Sequence, residues 1–127
     1  MGESIVGQKS YECALQIVKF CTQLRENRHY EISSQLLRAG TSIGANVEEA
    51  LAGQCRKDFF AKMCTASKEA RETNYWLRLV KDAGLSSESR LQERLSKSDE
   101  LVKMRTSVVK TCGENQKTEK SKPRTQS

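Results

Sequence analysis

The sequence predicts an all-α protein: an antiparallel up-and-down four-helix bundle spanning residues 1–112, followed by a disordered basic tail over 113–127. Three observations lead there. Only seven glycines and one proline interrupt 127 residues, so little in the chain stops a long helix. Apolar residues recur at helical spacing in four successive stretches. Each stretch ends near a polar or glycine-containing turn, and four helices of roughly 20 residues use up nearly the whole chain.

The first helix is predicted over about 9–26. Tyr11, Ala14, Leu15, Val18 and Cys21 fall on one face, widened by Cys13, Ile17 and Leu24, and this face is taken as the core stripe. Glu26-Asn27-Arg28-His29 makes the turn. The second helix, about 30–52, places Ile32, Leu36, Ala39, Ile43, Val47 and Ala50 on its apolar side at 100° per residue. Gly40 and Gly44 border that side. A glycine inside a helix costs roughly 1 kcal/mol against alanine, so close approach of another helix is the expected compensation. Gly53 supplies the stop.

The third helix, about 56–83, begins with Asp58 in its first turn, where an acidic group suits the helix dipole. Phe59, Met63, Ala66, Ala70, Thr73, Leu77 and Val80 form a continuous stripe, and Gly84 ends the helix. Phe60, Tyr75, Trp76 and Leu79 lie outside the stripe. They are read as packing against a second neighbour, in the core or between subunits. The fourth helix, about 87–111, starts behind Ser86 or Ser87 and carries Leu91, Leu95, Val102 and Val109. Beyond residue 112 apolar residues vanish, leaving a segment without enough apolar surface to fold.

Catalytic chemistry is poorly provided for, and the chain is read as a non-enzyme without metal or cofactor. The five cysteines lack a CxxC pair, and His29 is the single histidine. The cysteines are read as small buried hydrophobes of a reducing compartment, and His29 as a solvated turn residue. Glu69 and Glu72 are three apart, but no histidine follows at the spacing that metal-binding bundles use. Neither a glycine-rich phosphate loop nor a GxGxxG pattern occurs. No run approaches the roughly 18 apolar residues of a membrane span, and no apolar signal segment opens the chain. A cytoplasmic protein is expected.

Two surface features remain. On the polar side of the second helix, Arg38, Ser42, Asn46 and Glu49 line up at spacings of four, four and three. Serine and asparagine are poor helix formers, so the stripe is expected to be a structural hydrogen-bonded network in which Arg38 forks onto a carboxylate. The other feature is the formal charge of +6, which favours polyanionic partners. Arg38, Arg56, Lys57 and Lys62 on the bundle, with Lys117, Lys120, Lys122 and Arg124 in the tail, are the candidate phosphate contacts. The adjacent Tyr75 and Trp76 have rings able to stack bases, but packing is the favoured reading.

Residues 35–50 (QLLRAGTSIGANVEEA), 57–63 (KDFFAKM) and 68–77 (KEARETNYWL) closely resemble the signature of the four-helix-bundle proteins encoded in intervening sequences of bacterial 23S ribosomal RNA genes. The likeness extends over about 9–111. It implies an up-and-down bundle assembled as a homopentameric barrel. It also implies kinship with the accessory variability proteins of diversity-generating retroelements, which bind nucleic acid and partner a reverse transcriptase. Two departures stand out: Cys13 where the family tends to an aromatic residue, and Cys55 in place of a serine cap. The expected function is a non-enzymatic oligomeric bundle that binds RNA or DNA through basic surface without strong sequence specificity. The alternative is a scaffold that binds a partner protein such as a reverse transcriptase, with incidental nucleic-acid contact.

Overall fold

In the computed structural model, residues 5–86 are described, together with Leu91, Arg94, Ser96, Lys97 and Glu100. Three helices are continuous: α1 over Ile5–Glu26, α2 over Tyr30–Ala52 and α3 over Arg56–Asp82. No strand occurs among the described residues. The five described positions beyond Ser86 are all helical, and Leu91 enters the core. The rest of the expected fourth helix and the tail lie outside the described residues.

Cross-helix contacts give the directions. Ser10 lies against Gly44, Ile17 against Gly40, and Cys21 against Ser33, so α1 and α2 are antiparallel. Arg38 reaches Glu69 and Glu72 while Glu49 reaches Lys62, so α2 and α3 are antiparallel as well. α2 packs closely on both of its chain neighbours, whereas the backbones of α1 and α3 stay apart and the two helices share only the core between them.

The turns explain why three residues suffice at each corner. After α1, Arg28 adopts φ 69°, His29 N–H donates to Leu24 O at 2.9 Å, and Arg28 N–H donates to Arg25 O at 2.9 Å. These two bonds satisfy the last helical carbonyls and reverse the chain. Gly84, also at φ 69°, does the same after α3 through Leu85 N–H to Val80 O at 3.1 Å. Gly53 ends α2 differently: its φ of −68° and ψ of 156° are extended, a conformation open to any residue. Cys55 caps α3, its Sγ accepting from Asp58 N–H at 3.4 Å.

The core departs from the sequence reading at α1. Ser10, Cys13, Ile17, Phe20, Cys21 and Leu24 are buried, while Tyr11, Leu15 and Val18 are exposed at 61%, 42% and 42%. The helix is therefore rotated from the expected phase, and Phe20, which the stripe omitted, is wholly buried. Two apolar sets compete on α1, and the one containing Phe20 fills the space between α2, α3 and Leu91. On α2 and α3 the expected stripes are buried, except that Ile32 and Phe59 are only partly so.

The cysteine expectation also needs correction. Cys13 and Cys21 are buried, Cys64 is half-buried and Cys55 is exposed, because capping requires Cys55 to leave the core. Cys112 lies outside the described residues. Burial pushes the Cys21 thiol up to about 11, against a smaller opposing effect of Ser33. The two residues exchange bonds: Cys21 Sγ donates to Ser33 O at 3.5 Å and Ser33 Oγ donates to Cys21 O at 3.2 Å. Such a thiol is a structural tie and a poor nucleophile at neutral pH.

Candidate nucleic-acid interface

The polar stripe of α2 divides into separate parts. Ser42 Oγ donates to Arg38 O at 2.7 Å, and Asn46 Nδ2 donates to Ser42 O at 2.8 Å. Both side chains thus serve the backbone of their own helix. The Arg38 side chain turns to α3 instead. Its Nη1 lies 3.2 Å from Glu69 Oε1, and its Nη2 bonds Glu72 Oε2. Glu72 Oε2 also accepts from Trp76 Nε1 at 3.1 Å. Glu49 pairs with Lys62 at 2.6 Å and stays out of the arginine cluster. The carboxylates that Arg38 forks onto are thus two on the facing helix and none of its own stripe, which spacing along α2 alone had no means of indicating.

The Arg38 guanidinium and its partner Glu72 are both partly exposed, so the fork is screened by solvent. Arg38→Ala is expected to cost about 1–2 kcal/mol, the range of a charge-assisted bond reduced by that screening. In a double-mutant cycle, Arg38 should couple to Glu72 by about 1 kcal/mol and not measurably to Glu49. Urea unfolding of the single and double alanine variants measures both quantities.

These pairings bear on how each candidate cation could meet a phosphate. Arg38 and Lys62 each face carboxylates. Arg56 and Lys57 are exposed at the start of α3. Lys117, Lys120, Lys122 and Arg124 lie outside the described residues. Sequence reading passed over Lys68, Arg71 and Arg78. At 100° per residue these three share the outward pole of α3 with Lys57, Ala61, Cys64 and Tyr75, and all four cations are exposed. No acidic residue stands on that pole between Lys57 and Arg78. At 1.5 Å per residue the row is about 30 Å long. The signal was available, since 57, 64, 68, 71, 75 and 78 repeat at helical spacing opposite the apolar stripe.

Tyr75 sits within this row, 48% exposed. Its ring meets Trp76 edge-on, with centroids 5.2 Å apart and planes at 72°. The Arg78 guanidinium lies 5.9 Å from the Tyr75 centroid, and Arg78 Nε donates to Asn74 Oδ1 at 2.9 Å. Trp76 is half-buried and packs against the core. Phe60 is half-buried and Leu79 exposed, so the four aromatic and aliphatic residues outside the α3 stripe do not form one buried group.

Residues 2–107 match the model of the 23S rRNA-intervening sequence protein family. The chain belongs to that family. Among solved structures, it is similar to a crystal structure of a protein of unknown function from the S23 ribosomal protein family of Bacteroides thetaiotaomicron. The two share 38% identity with a TM-score of 0.78, over 84% of this chain and 99% of that one. No curated protein matches the chain. Among the described residues of this family member, no helix is long and apolar enough to cross a membrane. Nor does any group of three or more His, Cys, Asp or Glu side chains assemble there to hold a metal ion.

Proposed function

We propose that this 23S rRNA-intervening sequence protein is a non-enzymatic, oligomeric helical bundle that binds RNA or DNA through the outward face of α3. The observation that carries the reading is the row of Lys57, Lys68, Arg71 and Arg78, exposed on one pole without an intervening acid. Cations so placed neutralise phosphates and release counterions, which gives affinity and salt dependence with little sequence preference. The basic tail residues add to the same attraction.

The oligomer is supported by α1. Tyr11, Leu15 and Val18 form an exposed apolar strip with the charged Glu12 and Lys19 beside it, the pattern of an apolar contact with a polar rim. A second copy of the chain is the proposed occupant, and the resemblance to pentameric relatives makes five copies the favoured number. This strip is also what favours the rival reading, a scaffold for a different protein such as a reverse transcriptase.

Titrating labelled oligonucleotides at several salt concentrations tests the function. If the four cations each meet one phosphate of a single strand, log affinity falls against log salt with a slope of about −3 per site. Lys68→Glu with Arg71→Glu should reduce that slope by about half. Light scattering on the same samples should give one species larger than a monomer. Absence of binding at low salt would reject the nucleic-acid reading and leave the scaffold.

A further inference from the structure

We infer that Tyr75 is a base-stacking platform set into the cation row of α3, so that the ligand of this face is single-stranded rather than duplex nucleic acid. The inference rests on the nucleic-acid reading above and goes further, because cations alone attract single strands and duplexes alike. A tyrosine at the solvent pole of a helix contributes little to the core, and at 48% exposure it presents ring surface to solvent.

The ring is held in place by its surroundings. The Trp76 ring braces it edge-on at 5.2 Å. Trp76 is in turn tied through Nε1 to Glu72 at 3.1 Å, and Glu72 is gripped by Arg38. Arg78 stands 5.9 Å from the ring and is itself fixed on Asn74 at 2.9 Å. Arg71 lies four residues before Tyr75 and Arg78 three after, so a cation stands about one turn to either side of the aromatic. A phosphate chain running along the row would bring its bases past Tyr75. An unpaired base has a π-face to offer, whereas bases inside a duplex are already stacked on both sides. Fixing the aromatic beforehand lowers the ordering cost of the contact.

Fluorescence anisotropy with a labelled oligouridylate and with a mixed-sequence duplex of equal phosphate number tests the inference on the full chain. Tyr75→Ala should weaken single-strand binding about tenfold, the effect of losing one stacked base. Duplex binding and the salt slope should be unchanged, because no phosphate contact is lost. Tyr75→Phe should retain single-strand affinity, and circular dichroism should give the same helicity for both variants. The inference is overturned if Tyr75→Ala binds oligouridylate within twofold of the parent while Lys68→Glu with Arg71→Glu abolishes binding; the α3 reading would then survive without the platform. It is equally overturned if Tyr75→Ala changes the species seen by light scattering, which would make Tyr75 a contact between copies. If the parent protein binds neither ligand, the nucleic-acid reading itself fails and the platform with it.

Discussion

Replacing Phe20 with alanine is expected to remove about 3–5 kcal/mol of stability, the usual cost of emptying a buried phenyl site in a well-packed core. Phe20 is fully buried among Cys13, Ile17, Leu24 and Leu91, and the Arg94 guanidinium stands 4.9 Å from its ring centroid. A loss of that size is a large share of the roughly 5–15 kcal/mol that keeps an ordinary domain folded. Val18→Ala, two residues away on the exposed strip, should alter the unfolding free energy of a dilute subunit by no more than about 0.5 kcal/mol. Thermal and urea unfolding of the two variants separates the rotated placement of α1 from the phase expected from its sequence. Equal losses for Phe20 and Val18 would contradict the rotation.

Gly40 and Gly44 are expected to respond to alanine with opposite signs. A Cβ on Gly40 would stand 2.7 Å from Ile17 Cγ2 and 2.9 Å from Cγ1. Those atoms branch from Ile17 Cβ within a helix, where χ1 is nearly fixed, so the backbones must part. Overpacking of this kind costs about 1–3 kcal/mol, which exceeds the gain of up to about 1 kcal/mol from replacing glycine in a helix. A Cβ on Gly44 would meet Ser10 O at 3.4 Å, an ordinary contact, and the helix-propensity gain should prevail. Gly40→Val, which brings further methyl groups against Ile17, should leave little folded protein. Urea midpoints check all three variants. A Gly40→Ala variant as stable as Gly44→Ala would refute the close approach.

How far the sequence anticipated this molecule depended on how one-sided each helix was. α2 has a single apolar face with two glycines on its border, and its burial follows that face closely. α3 likewise buries its expected stripe, apart from Phe59, which is only half-buried. α1 offers two apolar sets of similar weight. Tyr11, Leu15 and Val18 outweighed Ser10 and Phe20 in a reading by periodicity, yet only the second set fits the volume left by its neighbours. At the candidate interface the difficulty was long-range pairing. Lys62 read as a free cation until α2 supplied Glu49, and the carboxylate expected for Arg38 came as the pair Glu69 and Glu72 from α3. Lys68, Arg71 and Arg78 were legible as a row, but only by following the polar side of α3 as carefully as its apolar side.

The placement of α2 between α1 and α3 also bears on how the chain finds its fold. Contacts of α2 with both neighbours are closed by turns of only three residues, while the backbones of the two outer helices do not pack closely on each other. Closing such short connections costs little chain entropy, and proteins rich in sequence-local contacts fold in microseconds to milliseconds. A collapsed hairpin of α1 on α2, or of α2 on α3, is therefore available as a nucleus before any distant segment must arrive. The contacts expected to close last are those of greatest sequence separation, where Glu100 meets Lys9 and the Arg94 guanidinium stands over Phe20. Substitutions there should act chiefly on the unfolding rate, whereas those along α2 should act on the folding rate.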